Sequence, residues 1–128
     1  MVISNKLIKL AIEEAKKSNY KQKVGCIIFD KKKILSKGYN TSQKSIKKLH
    51  PQFQGFPYSV HAEVDAIIKA RKDLKGSSIL VIRINKETQF RLSKPCINCM
   101  KYIKHVEIKN IFYSIDRYPY IIELSYNK

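Results

Sequence analysis

The spacing of apolar positions changes several times along the chain, and each change marks an element. Over residues 4–18, Leu7, Ile8, Leu10, Ala11, Ile12 and Ala15 recur on one helical face, with Lys6, Lys9, Glu13, Glu14, Lys16 and Lys17 mostly outside it. Ser4 stands where an N-cap hydroxyl accepts from a free backbone N–H. The run over 23–30 is short, apolar and continuous, as in a buried strand. Asp30-Lys31-Lys32 reads as a turn and 33–39 as a second strand, paired with the first as a hairpin. Helical spacing returns over 60–74 through Val64, Ile67, Ile68 and the stem of Arg71, and Gly76 is expected to stop it. An Ile- and Val-rich strand follows over 78–84, then a loop over 86–93. A helix is predicted over 96–105, with Pro95 at its start, where a missing N–H is tolerated. Strands over 110–115 and 120–125 flank the turn Asp116-Arg117-Tyr118-Pro119. The order α-β-β-α-β-α-β-β predicts an α/β fold with a five-stranded mixed sheet and helices against it.

Residues 41–59 break the regularity with Ser, Gln, Lys, two prolines and a glycine. A loop this long in a compact domain usually covers or contributes to a site. Its Phe53, Phe56 and Tyr58 are expected to pin it to the core rather than to stack on a base.

The length of 128 residues suits one domain spanning 1–128, large enough to hold a core without disulfides. No apolar run approaches the ~20 residues of a membrane span. Met1-Val2-Ile3-Ser4-Asn5 lacks the charged start and apolar stretch of a signal peptide. The expectation is a cytoplasmic protein with no membrane partner. Three cysteines, two of them in a Cys-x-x-Cys pair, argue for a reducing compartment with thiols reserved for a metal, and Cys26 reads as a core residue. The net charge of +16 attracts nucleotides or nucleic acid. However, 22 Lys against 4 Arg, together with 19 Ile, is also what an A+T-rich gene yields. Nucleic acid is therefore an open but not favoured partner, and the charge mainly excludes a cationic ligand.

The chemistry concentrates in two short motifs, His61-Ala62-Glu63 and Pro95-Cys96-Ile97-Asn98-Cys99, with Pro95 lying 32 residues after Glu63. A hydrolytic zinc site needs three protein ligands and a fourth position for water. His61 offers a nitrogen, and Cys96 and Cys99 offer thiolates at the first turn of a helix, whose partial positive charge favours them. If the two helices lie side by side, their N-termini can share the ion. Glu63 is not a ligand but can reach a water on the metal, accept its proton and pass protons to a ring nitrogen and a leaving amine. Either motif alone is weak evidence. In this order, each opening a helix, they match the signature of a zinc-dependent deaminase of nucleobases. A structural zinc site would want a fourth protein ligand. His105 lies about two turns beyond Cys99, and His50 falls in the long loop.

From about Leu7 to Tyr113 the chain resembles the cytidine/deoxycytidylate deaminase superfamily, through Val24-Gly25-Cys26-Ile27-Ile28, Gly38-Tyr39-Asn40, His61-Ala62-Glu63 with Ala66-Ile67, and Pro95-Cys96-x-x-Cys99. The resemblance implies a three-layer α/β/α sandwich. It also implies zinc on His61, Cys96 and Cys99, with Glu63 as proton shuttle, Asn40 holding the sugar and the Ala62 backbone against the base. The closest likeness is to deoxycytidylate deaminases and short viral deaminases, through Gly38-Tyr39-Asn40, His50-Pro51 and Ile108-x-x-Ile111-x-Tyr113. Tyr113 and Lys94 join the candidate substrate contacts. Lys94, before Pro95, suits a phosphate, as do Lys44, Lys47 and Lys48. Arg91-Leu92-Ser93-Lys94 departs from the Thr-x-x-Pro-Cys form common in the family. Only 14 residues follow Ser114, too few for a helix and a long parallel strand, so the last two strands are expected to form a hairpin. By the same resemblance, that arrangement is typical of deaminases of free nucleosides, and a parallel last strand of those acting on nucleotides and polynucleotides.

The expected activity is hydrolysis of cytosine in dCMP, with dCTP as a further substrate, by a homo-oligomeric enzyme. The alternatives are a free cytidine or deoxycytidine deaminase and a deaminase of single-stranded DNA or RNA. A non-catalytic zinc domain is disfavoured because it gives Glu63 no duty.

Overall fold

A computed structural model describes residues 3–40 and 61–124. Helix α1 (Asn5–Ala15) is capped by Ser4, whose hydroxyl accepts from the Leu7 N–H at 3.3 Å. Strands β1 (Lys23–Asp30) and β2 (Lys33–Tyr39) form the expected hairpin. Next come α2 (Ala62–Ala70), β3 (Ser78–Ile84), β4 (Phe90–Arg91), α3 (Ile97–His105), β5 (Asn110–Ser114) and β6 (Ile121–Leu124). The main sheet order is β2-β1-β3-β5-β6, mixed because β3 and β5 run parallel while the other neighbours are antiparallel. The five expected strands are joined by a sixth, β4, two residues long and paired to the end of β3. The loop predicted over 86–93 thus contains a short return strand.

Strand alternation sorts the core into two layers. Ile27, Phe29, Leu80, Ile82, Ile84 and Phe112 pack on Leu7, Ala11 and Ala15 of α1. Cys26, Ile28, Ile79, Val81 and Ile111 point the other way, into the cluster formed with α2 and α3. Helices on both faces of one sheet give the three-layer sandwich. Among the described residues no helix is long and apolar enough to cross a membrane. The 41–59 loop, its three aromatics, His50 and Lys44, Lys47 and Lys48 lie outside the described residues.

The helix expected over 60–74 is shorter. It ends at Ala70, where Arg71 takes a left-handed conformation at φ 51°, and Gly76 lies beyond it in the turn before β3. Leu74, the last residue of the expected helix, is buried from an irregular segment.

Glycine matters where α2 meets β2. A Cβ on Gly38 would stand 2.4 Å from the Ala66 nitrogen and 2.6 Å from the Ala62 carbonyl oxygen, both backbone atoms. The Ser36 hydroxyl donates to the Ala66 carbonyl at 2.7 Å, and buried Asp65 accepts from the Tyr39 N–H at 3.1 Å. Helix α2 is therefore clamped to β2 at the turn that carries His61 and Glu63. Gly38→Ala must push that turn away, and it is expected to cost about 2 kcal/mol, with Tm lower by several degrees and weaker zinc retention. Thermal unfolding and metal analysis check this, and an unchanged Tm would contradict the close approach.

Candidate metal centre and substrate cavity

The two motifs meet because both open helices on the same sheet face. His61 is the N-cap residue of α2, and the Asp65 N–H donates to its carbonyl at 2.9 Å. Cys96 is the N-cap residue of α3, and the Met100 N–H donates to its carbonyl at 2.8 Å. Cys99 follows one turn later and is fully buried in the α2–α3 core cluster. The helix bounded as 96–105 from the sequence thus begins at Ile97, with Cys96 in extended backbone at the cap.

The ligand atoms of His61, Cys96 and Cys99 all lie within 4.8 Å of one another. His61 turns Nδ1 toward both sulfurs, 3.3 Å from Cys99 Sγ and 3.8 Å from Cys96 Sγ. Tetrahedral zinc with ordinary Zn–S and Zn–N bonds separates such atoms by about 3.6 Å, so the donor set fits that ion. Among the described residues no fourth His, Cys, Asp or Glu joins this group. His105 sits at the far end of α3, stacked near Tyr102 with ring centroids 6.3 Å apart.

The thiols divide their proton unequally. Cys96 is pushed down to about 5, chiefly by the hydrogen bond from Cys99. Cys99 is pushed far up by that same bond, then by burial and the charge of Glu63. Cys26 is raised by burial, which makes it the inert core thiol the sequence suggested.

Glu63 lies in the first turn of α2, only 5% exposed, and burial pushes its carboxyl above the usual range. It adjoins Cys99 and the His61–Cys96 pair. A buried carboxyl whose pKa is raised by desolvation, beside a candidate metal site, is suited to taking and returning protons.

His61, Ala62, Glu63 and Cys96 line a cavity of about 270 Å³. Gln22, Val24, Asn40, Arg83, Ser93 and Lys94 line it as well. Of the sequence candidates, the fold brings His61, Ala62, Glu63, Cys96, Asn40 and Lys94 to this cavity. Tyr113 is 9% exposed on β5, opposite Val81 and Ile122, and is not among the lining residues. Asn40 already ties two strand ends together: its Oδ1 accepts from the Val24 N–H and its Nδ2 donates to the Gln22 carbonyl, both at 2.9 Å. Each end of that amide retains further capacity for a ligand.

Sequence reasoning missed Ser93 and Ser114. Ser93 Oγ donates to the Val81 carbonyl at 2.7 Å and accepts from the Ser114 N–H at 2.8 Å, and Ser114 Oγ donates to the Arg91 carbonyl at 2.6 Å. Buried hydrogen bonds thus fasten the segment before Pro95-Cys96 to the ends of β3 and β5. The signal was a lone serine in each of two otherwise apolar or basic stretches, which the sequence cannot separate from a surface serine.

A model of the cytidine and deoxycytidylate deaminase zinc-binding region matches residues 1–115. The fold is similar to dCMP deaminase from the cyanophage S-TIM5 in complex with dCMP and dUMP (TM-score 0.61, 20% identity, covering 91% of this chain and 86% of that one). It is also similar to cytidine deaminase from Mycobacterium leprae (TM-score 0.57, 15% identity, 94% of each chain). A diaminohydroxyphosphoribosylaminopyrimidine deaminase/5-amino-6-(5-phosphoribosylamino)uracil reductase from Thermotoga maritima matches with a TM-score of 0.56 and 25% identity, over 89% of this chain and 30% of that one. No curated protein sequence matches.

Proposed function

We propose that this chain, which belongs to the cytidine and deoxycytidylate deaminase family, removes the exocyclic amine of cytosine carried on a deoxynucleotide, converting dCMP to dUMP and ammonia, with dCTP as a further substrate. The family makes it a zinc-dependent deaminase, and His61, Cys96 and Cys99 are the residues that would hold the metal. When bound, zinc supplies the Lewis acidity that makes water nucleophilic near pH 7. Glu63 accepts the proton of the attacking water, delivers it to the ring nitrogen, and returns a second proton to the departing amine. Ammonia leaves, and the ring carbon keeps the oxygen as the uracil carbonyl. The Ala62 backbone stands next to Glu63 at the cavity wall, where it can orient the base, and Asn40, which lines the same cavity, can take the sugar.

One observation carries this reading: buried Glu63 lies beside the grouped His61, Cys96 and Cys99 side chains, on a cavity also lined by exposed Lys94. A cyanophage protein of the same fold holds dCMP and dUMP, which also supports it. The second reading, a free cytidine or deoxycytidine deaminase, is favoured by β6, which runs antiparallel to β5 as that resemblance implies. Incubation of the zinc-loaded protein with dCMP, dCTP, deoxycytidine, cytidine and a cytosine-bearing single strand separates the readings. The expected order of kcat/KM has dCMP first. A preference for either free nucleoside would establish the second reading, and turnover of the strand alone would refute both.

We further propose a cytoplasmic homo-oligomer. Sedimentation of the purified protein should give a mass above 14.9 kDa, the mass of one chain.

A further inference from the structure

We propose that Arg83 seats the substrate's 5′-phosphate and so makes the cavity select a nucleoside monophosphate over the free nucleoside. This rests on the reading of the substrate as a cytosine nucleotide.

Arg83 is out of pattern. On β3, Ile79 and Val81 point into the α2–α3 core layer, while Leu80, Ile82 and Ile84 point to α1. The next position on the α2–α3 face is Arg83, a half-buried cation in a strand otherwise made of apolar residues and one serine, and it lines the cavity. Its guanidinium is held in place by uncharged partners. Nε donates to Gln22 Oε1 at 2.9 Å and Nη1 to the Leu92 carbonyl at 3.4 Å. Among the described residues no carboxylate pairs with it, and the only carboxylate lining the cavity is Glu63, which adjoins His61, Cys96 and Cys99.

A half-buried positive charge fixed by two neutral groups favours an anion from the cavity. Arg carries five N–H donors, and two are used here, which leaves three for phosphate oxygens in the planar fork suited to them. The position fits the order of a nucleotide. Glu63 and the metal ligands mark the base, and Asn40 lines the same cavity. Asn40 donates to the Gln22 backbone, and Gln22 in turn holds Arg83. Lys94 supplies a second cation on the segment leading to Cys96.

The test compares kcat/KM for dCMP and deoxycytidine in zinc-loaded wild type, Arg83→Gln and Arg83→Lys. Arg83→Gln is expected to reduce the dCMP-to-deoxycytidine preference about 30-fold, through KM, and Arg83→Lys to recover part of it by restoring charge without the fork. An equal fall on both substrates overturns the proposal, because Arg83 then only braces Gln22 and Leu92. A larger loss on a cytosine-bearing oligonucleotide than on dCMP also overturns it, since the phosphate seated is then a backbone diester. If wild type turns over none of these, the nucleotide reading fails by itself. Calorimetric titration of dCMP into wild type and Arg83→Gln then decides the Arg83 assignment: a weaker Kd in the variant supports it, and an equal Kd overturns it.

Discussion

Glu63→Ala is expected to lower turnover of dCMP by about a thousandfold while leaving zinc bound. General acid–base groups contribute about 10²–10⁴ in rate, and here one carboxyl is assigned every proton transfer. The metal should stay because Glu63 is not in the His61–Cys96–Cys99 group. Removing a buried carboxyl whose charged form is disfavoured by burial should not unfold the protein. Glu63→Gln separates the roles further. It preserves the side chain's shape and hydrogen bonding but cannot carry a proton, so it should be about as inactive as alanine. Metal analysis with steady-state kinetics checks both. Activity within about tenfold of wild type in Glu63→Gln would remove the proton shuttle from the mechanism, since that loss is less than a general acid–base group supplies.

The second large effect is expected at Cys99. Cys99→Ala leaves two of three ligands, too few for a stable tetrahedral site. Zinc content should fall to a small fraction, and turnover with it. Because Cys99 is fully buried, the variant also loses a small core side chain. Cys26→Ala is the matching control: its thiol is equally buried, in the same core cluster, and serves no metal. It should lower Tm comparably yet keep zinc and activity. Loss of zinc in both variants would mean that general loosening of the core, rather than a missing ligand, empties the site.

Much of this was legible from local chemistry. β1, β2 and β3 match the expected strands residue for residue, because turn residues bound their apolar runs. The hairpin of β5 and β6 followed from the turn-forming Asp116-to-Pro119 segment between them. The meeting of His61, Cys96 and Cys99 was legible because a Cys-x-x-Cys opening a helix leaves little choice of geometry. What escaped depended on tertiary contacts. Two residues of β4 are too short for any periodicity, and α2 stops early because Arg71 adopts a left-handed cap that no local residue type announced. Arg83 was hidden in an isoleucine-rich strand, although a cation interrupting the alternation of Ile79 and Val81 was the signal available. Asn40 was assigned to the sugar by resemblance, yet its amide also closes the gap between the end of β2 and the start of β1. The resemblance puts Tyr113 among substrate contacts by its position in a motif, but it is buried on β5 and is not among the described residues that line the cavity.

The most direct test of the central claim is product formation from dCMP by protein stripped of metal and then reconstituted with zinc. Chromatography of the nucleotide and an ammonia assay should show dUMP and ammonia in equal amounts, absent before reconstitution, restored by zinc, and lost again in Glu63→Ala. Folded protein with zinc bound that yields no uracil product from dCMP, dCTP, deoxycytidine or cytidine would contradict the account.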